Sequence, residues 1–284
     1  MRILVTGGTG VIGRYVIAEC ARAGHEVTNL GRSGPPPLLC RHLRGDLTNA
    51  GDVYEAVAMS RAEAVVHMGA WSNWGLVPHT QTYGDNVRGT FNLFQACADL
   101  GVRRIVAASS AQVYGFERHA PRYVPVDEAH PLRPLNPYAA AKIANEQAAD
   151  YFVANHDMTI CSFRIMAARL PARIPMEIAQ LVERPETGTF LLWTRHDARD
   201  CARACRLAVE ATEVASGPYN ITGTVVLDEP AADLVRRYFG NRTEIRDALP
   251  ATASPLSCAK AEKAFGYRPI YPWSVHTTFP EDAA

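Results

Sequence analysis

Tyr138 and Lys142 stand four residues apart, just behind Asn136-Pro137. Asn suits a helix cap and Pro suits the first helical position. On the helix that follows, the two side chains share one face, a turn apart. That placement has chemical value. A free phenol titrates near about 10, too high for a base at neutral pH. A nearby ammonium favours the phenolate and lowers that value. Tyr138 can then move a proton to or from a substrate hydroxyl while the carbon changes oxidation state. The competing reading is an interfacial Tyr and a solvated Lys paired with Glu146. Ser109 and Ser110 lie in Ala107-Ala108-Ser109-Ser110-Ala111-Gln112-Val113-Tyr114-Gly115, directly after an apolar run. A hydroxyl there can hold the oxygen of the reacting carbon, or simply cap a local turn.

A third group sits at the N-terminus, in Val5-Thr6-Gly7-Gly8-Thr9-Gly10-Val11-Ile12-Gly13. An apolar run, three glycines at three-residue spacing and an amphipathic helix over 11–23 form a dinucleotide-binding fingerprint. Gly7 allows a tight turn. Gly10 lets the backbone approach a pyrophosphate, and Gly13 lets the helix pack closely. Val11 and Ile12 open the helix, whose N–H groups and positive dipole end face the phosphates.

These residues need a scaffold that brings them together, and the rest of the chain predicts one. Strands are expected at 2–5, 25–30, 41–44, 64–67, 104–108 and 159–163. Helices are expected at 50–60, 80–100 and 136–155, the second with Val87, Phe91, Phe94 and Ala98 as apolar positions. Of these, Phe91 and Phe94 are read as core. The alternation predicts an α/β fold, a doubly wound parallel (Rossmann) sheet covered on both faces. Past Arg164 the pattern loosens. A strand at 188–193, a helix from 198, a strand at 218–222 and helices at 229–239 and 257–265 predict a smaller C-terminal lobe. The expected division is a nucleotide-binding domain over 1–164 and a substrate lobe over 165–284, with segments returning to the main sheet. Gly34-Pro35-Pro36-Pro37 reads as a surface loop.

Composition narrows the function. The 284 residues carry 29 Lys and Arg against 29 Asp and Glu, so bulk charge favours neither nucleic acid nor an anionic membrane. No apolar run is long enough to span a bilayer, and the first strand starts at Arg2, so the expected location is the cytoplasm. Seven cysteines without a Cys-x-x-Cys pair read as free thiols. Cys201 and Cys205, beside His196, Asp197 and Asp200, could be imagined around a metal. The preferred reading is core-facing thiols on one helix over 198–211, with no metal.

In this order and spacing, the three motifs resemble the extended short-chain dehydrogenase/reductases, the NAD-dependent epimerase/dehydratase family. Gly45-Asp46-Leu47, His67-Met68-Gly69-Ala70, Asn86-Val87-Arg88-Gly89-Thr90 and His196-Asp197-Ala198-Arg199-Asp200 add to the likeness. The resemblance implies that Ser110 orients the substrate oxygen, that Tyr138 is the general acid/base, and that Lys142 bonds the nicotinamide ribose and lowers the Tyr138 pKa. It implies that Asp46 and Leu47 contact the adenine, that Gly69 and Ala70 line the cofactor channel, and that Asn86 supports it. Asn86 as a helix cap and Asp46 as a turn residue are the competing readings. Relatives pair two long helices like 80–100 and 136–155 in a homodimer; solvated outer faces are the alternative.

Departures from the family sharpen the expectation. Dehydratases carry acidic residues after the active-site Ser or Thr, whereas this chain has Ala111 and Gln112. The stretch Arg164-Ile165-Met166-Ala167-Ala168-Arg169-Leu170-Pro171 lacks the Asn and Tyr-Gly that reach nucleotide sugars in many members. Trp71 and Trp74 could wall an apolar or sugar-stacking pocket, or pack under a lid. The second strand ends Leu30-Gly31-Arg32-Ser33 without a carboxylate, and Arg32 could hold a 2′-phosphate. This favours NADP, with NAD as the alternative. The expected activity is hydride transfer at a secondary alcohol or ketone carbon of a sugar, sugar derivative or nucleotide sugar, by an epimerase or a dehydrogenase/reductase. A non-enzymatic nucleotide-binding or redox-sensing protein is the other reading; the presence of Ser110, Tyr138 and Lys142 argues against it.

Overall fold

The computed structural model describes residues 1–32, 40–247, 249–250 and 253–281. The expected Pro-rich loop at Gly34-Pro35-Pro36-Pro37 lies outside these residues, as does Ser33. The first half alternates as its apolar pattern dictates. β1 (Arg2–Thr6) leads to α1 (Gly13–Arg22), then β2 (Glu26–Gly31), β3 (Arg41–Arg44), α2 (Ala50–Ser60), β4 (Ala64–His67), α3 (His79–Asp99) and β5 (Arg104–Ser110). After a two-residue β6 (Tyr123–Val124) come α4 (Pro137–His156) and β7 (Thr159–Ile165). Asn49 and Asn136 cap α2 and α4 with their side chains, as residues of this type do.

The main sheet has seven parallel strands in the order β10-β7-β5-β4-β1-β2-β3, where β10 is Gly217–Ile221. Strand order reverses between β1 and β4, which is where ligands of open α/β sheets bind. Pleating divides the core. Ile3, Val5 and Val66 face α1 and α6 (Ala198–Glu210), while Leu4 and Val65 face α2, α3 and α4. Each such side chain, fully buried, contributes about 1.5–3 kcal/mol. Phe94 lies in this second core, but Phe91 does not: it is 42% exposed, touching Phe152 from outside.

The C-terminal part is built from shorter pieces. β8 (Ala168–Arg169), α5 (Ile174–Glu183), β9 (Thr194–Asp197) and β11 (Thr224–Val225) adjoin the cavity side of the sheet, with β11, β9 and β8 forming a small sheet of their own. α7 (Ala231–Phe239), β12 (Glu244–Ile245) and α8 (Ala259–Phe265) complete it. The strand expected at 188–193 is absent. Pro185–Leu191 is a 3-10 helix, and the strand starts only at Thr194. The reason is Trp193, which is fully buried and donates its indole N–H to the Pro185 carbonyl at 2.8 Å. The chain coils around that ring, and Leu192 and Trp193 take positive φ values of 49° and 56°. A short apolar run cannot by itself report such a turn.

His196, Asp197 and Asp200 tie this half together. His196 Nε2 meets the Tyr267 hydroxyl at 2.9 Å, Asp197 holds Arg199 and the Trp273 indole, and Asp200 accepts the amides of Ile270 and Tyr271. Cys201 and Cys205 are buried in the core, and burial raises the Cys20 thiol beside that region to about 12. Among the described residues, no three His, Cys, Asp or Glu are grouped to hold a metal ion.

Candidate active site

A cavity of about 1050 Å³ opens along the C-terminal ends of β1, β4 and β5. Every residue singled out for catalysis or cofactor binding lines it: Gly7, Gly10, Val11, Ile12, Gly13, Arg32, Asp46, Leu47, Gly69, Ala70, Asn86, Ser110, Tyr138 and Lys142.

At one end the glycine loop turns from β1 into α1. Gly7 has φ +69°, and a Cβ there would lie 2.7 Å from the Gly69 backbone. A Cβ on Gly13 would lie 2.2 Å from the Gly7 carbonyl oxygen. Gly13 therefore serves the tightness of the loop itself. α1 starts at Gly13, two residues later than its periodicity suggests, and no side chain caps its N-terminus. The first N–H groups of a helix have no intrahelical partners. An uncapped helix start lining a cavity, with a backbone too tight for side chains, fits a dinucleotide pyrophosphate.

Asn29 supports this loop from β2, accepting the Gly8 amide at 2.8 Å. It was legible only as a polar residue inside the apolar strand Val27-Thr28-Asn29-Leu30. His67 does similar work at the end of β4. It lies between Thr6 Oγ1 at 2.7 Å and Thr90 Oγ1 at 3.0 Å. Burial, with Lys142 adding to it, lowers the imidazole to about 3, so it is neutral.

Around the cavity's second corner, Asp46 Oδ1 accepts the amide and hydroxyl of Thr48, so the turn role is real even as Asp46 lines the cavity. Asn86 is no helix cap. It lies inside α3 and bonds both the amide and the carbonyl of Trp71. Trp71 is further anchored through its indole N–H to Asp85 at 2.8 Å. The guanidinium of Arg32 stands 4.2 Å from the Trp71 ring centre and 3.9 Å from Asp46. Trp71 thus presents one face to Arg32 and lines the cavity, while Trp74 is an exposed part of the rim.

The corner that holds Ser110, Tyr138 and Lys142 is built by β5 and α4. Tyr138, Lys142 and Glu146 follow at one-turn intervals on the same face of α4. Lys142 is 2% exposed and does not pair with Glu146; its Nζ donates to the Ala108 carbonyl at 2.6 Å and lies 5.5 Å from the Tyr138 ring centre. Burial lowers the ammonium to about 8, opposed by Glu146. Burial raises the Tyr138 phenol to about 12, opposed by the Ser110 side chain. Glu146 instead grips Arg164 of β7 through two bonds, at 3.0 and 2.7 Å, and accepts the Ser109 hydroxyl at 2.5 Å. Arg164 spends its other donors on the Tyr114 hydroxyl and the Glu128 carbonyl. This buried pair ties α4 to β5 and β7 directly behind Ser110. Nothing in the spacing of Glu146 and Arg164 announces it.

The opposite wall runs from Ile165 to Leu191 and includes Arg169, Arg173, Glu177 and Phe190. Glu177 lies between Arg169 Nε at 2.8 Å and Arg195 Nε at 2.5 Å.

Comparison with known proteins agrees with this geometry. Residues 3–222 match the family model for the NAD dependent epimerase/dehydratase family. Among curated proteins, a UDP-glucose 4-epimerase of Streptomyces lividans is 33% identical over 185 residues, 61% of this chain and 55% of that protein. One from Bacillus subtilis is 33% identical over 180 residues, 58% of this chain and 52% of that protein. The alignment spans about half the length of these relatives. Among solved structures, an NAD-bound short-chain dehydrogenase/reductase superfamily protein of Agrobacterium tumefaciens superposes with TM-score 0.72 at 23% identity, covering 99% of this chain and 94% of that one. An NAD complex of UDP-glucose 4-epimerase from Brucella ovis gives TM-score 0.72 at 21% identity, covering 95% and 94%. Among the described residues, no helix is long and apolar enough to cross a membrane. With its Rossmann sheet, its glycine loop and a family match over most of its length, the chain belongs to the NAD-dependent epimerase/dehydratase family.

Proposed function

We propose that the protein is an NAD(P)-dependent oxidoreductase or epimerase acting at a secondary alcohol or ketone carbon of a sugar, sugar derivative or nucleotide sugar. The observation that carries this reading is the meeting of Ser110, Tyr138 and Lys142 on the wall of the cavity that also holds the glycine loop. The names of the curated relatives favour a sugar-type substrate.

The chain's residues then have these roles. Gly7, Gly10, Val11, Ile12 and Gly13 would hold the pyrophosphate, Asp46 and Leu47 the adenine, and Gly69 and Ala70 the channel, with Asn86 fixing its wall. Lys142 would bond the nicotinamide ribose. When bound, the nicotinamide supplies the two-electron exchange with the substrate carbon. Ser110 would orient the substrate oxygen, and Tyr138 would give it a proton or take one. With its phenol held at about 12, Tyr138 is protonated at neutral pH and ready as an acid. Acting as a base requires favouring the phenolate: Ser110 works in that direction, and the Lys142 ammonium 5.5 Å from the ring centre would add to it by its charge. Ala111 and Gln112 place no carboxylate directly after Ser110, which speaks against water elimination.

Cofactor preference is assigned to Arg32. β2 ends without a carboxylate, and Arg32 is steadied on Trp71 at the cavity edge, which supports NADP over NAD. Residues 165–284 would form the substrate side, apart from α6 and β10, which join the main layers. A homodimer belongs to the same reading, since Tyr83, Phe91 and Tyr151 are exposed on α3 and α4.

The test joins binding to turnover. NADH and NADPH are titrated by nicotinamide fluorescence, and secondary-alcohol oxidation and UDP-glucose epimerisation are assayed for wild type and Tyr138→Phe. The expected result is nicotinamide binding unchanged in the variant and turnover lower by about 10²–10⁴-fold. Unchanged turnover removes Tyr138 from the mechanism. Failure to bind either nucleotide removes the enzyme reading.

A further inference from the structure

We propose that the cavity wall formed by Arg169, Arg173 and Glu177, with Arg195 behind it, is a subsite for an oxyanion carried by the substrate, a carboxylate or phosphate on a sugar-sized molecule. This rests on the reading of the cavity as an active site.

The charges of this wall do not balance. Glu177 is the one carboxylate between two guanidiniums, Arg169 and Arg195. Their sum is one net positive charge in a wall that is largely desolvated, with side-chain exposures of 17% for Glu177 and 8% for Arg195. Buried cations are stable only when compensated. Burial disfavours the Arg195 charge; Glu177 opposes this, and Arg169 adds to it by repulsion. Arg195 spends Nη1 on the Thr194 carbonyl, and Arg169 spends Nη1 on the Ala168 carbonyl. Arg169 remains partly open to the cavity, with 34% of its side chain exposed.

Arg173 adds a second unbalanced charge. It lines the same wall, is exposed, and forms no ion pair among the described residues. Glu117, which also lines the cavity, is exposed on the segment after Phe116 and pairs with none of these arginines. The wall therefore offers planar, always-charged donors suited to bidentate contact with carboxylate or phosphate oxygens. It faces the same cavity as Tyr138, so an anion bound there would place the attached carbinol within one enclosed space with the proton-transferring group.

The experiment uses the protein saturated with the nicotinamide nucleotide it binds. Calorimetry measures glucose, glucuronate, glucose 6-phosphate and UDP-glucose. One or both of the sugar-sized anions should bind at least about tenfold tighter than glucose, the effect of one charge-assisted bond. Glucuronate against glucose 6-phosphate distinguishes a carboxylate from a phosphate. Arg173→Ala should abolish the preference and leave nicotinamide affinity unchanged. Arg169→Met should do the same; should it disturb folding through Glu177, Arg173→Ala carries the test, since it breaks no ion pair. Glucose binding as tightly as the anions overturns the proposal. So does an anion preference, including one for UDP-glucose, that survives Arg173→Ala. Intact nicotinamide binding without anion preference sinks this inference alone, whereas lost nicotinamide binding sinks the active-site reading.

Discussion

Of the carboxylates that arginines hold in this molecule, Glu146 and Glu177 belong to clusters that are opposites. Behind Ser110, Glu146 faces one guanidinium, that of Arg164, in a doubly bonded, buried pair whose Nη1 is also satisfied within the protein. Across the cavity, Glu177 is shared by Arg169 and Arg195, and Arg173 stands beside them without a carboxylate. The first cluster is neutral and closed. It joins α4 to β5 and β7 and so aims Tyr138, Lys142 and Ser110. The second is positively charged and faces a cavity. Charge closure suits a pair that holds structure in place; charge excess beside a cavity is what the proposed anion subsite rests on.

The sharpest test of this contrast is stability. Glu146→Gln leaves Arg164 buried without its counter-charge, and the expected loss is about 3–5 kcal/mol by urea unfolding. Added phosphate should restore none of it, because the pair is closed to solvent. Glu177→Gln should also destabilise, but phosphate should recover part of the loss by occupying the arginines, beyond its effect on wild type. Equal responses of the two variants to phosphate would dissolve the distinction.

A smaller effect separates the corners by pH. Burial lowers the Lys142 ammonium to about 8 in the fold, against about 10.5 when unfolded. Between those values the unfolded chain binds more protons, so this residue makes stability rise with pH from about 8 to 10.5. Below pH 8 its burial penalty is fully present. The shift corresponds to about 3 kcal/mol. The difference in stability between wild type and Lys142→Met, followed from pH 7 to 10.5, should change by that order. A flat difference would mean that the ammonium is better solvated than its position indicates.

The smallest expected effect concerns an arginine that belongs to neither cluster. Arg32 is steadied by a ring rather than by a close carboxylate, and a cation–π contact at such a site is worth about 0.5–1 kcal/mol. Trp71→Leu should therefore weaken NADPH binding only two- to fivefold, on the order of that energy, with NADH less affected. Nicotinamide fluorescence titration measures both. An equal loss for both nucleotides would assign Trp71 to shaping the channel through Asn86 and Asp85.

Much of the corner around Tyr138 and Lys142 was legible because its cues are local. A strand followed by glycines at fixed spacing specifies a turn and a helix start, and Asn136-Pro137 specifies where α4 begins. Four residues later on a helix is always the same face, so Tyr138 and Lys142 had to be neighbours. The competing pairing of Lys142 with Glu146 was equally local, and there tertiary structure prevailed. Glu146 found Arg164 on a strand it packs against, and Lys142 found the Ala108 carbonyl. Phe91 was misjudged for a related reason: helical period assigns a stripe, but where the stripe's edge meets solvent depends on the neighbouring helix.

The opposite wall was far less legible. The run 188–193 had the composition of a strand, and only the burial of Trp193 turned it into a 3-10 helix. Arg169, Glu177 and Arg195 come from β8, α5 and β9, three elements whose proximity no spacing encodes. By itself, the sequence determined the parallel sheet, the dinucleotide loop and the Tyr-Lys face, because backbone geometry within one turn or one strand is set by neighbouring residues. Tertiary structure alone decided which carboxylate meets which arginine, and with it which cluster is closed and which is charged. Ion pairing depends on distance and desolvation in space, and those exist only once the layers have packed.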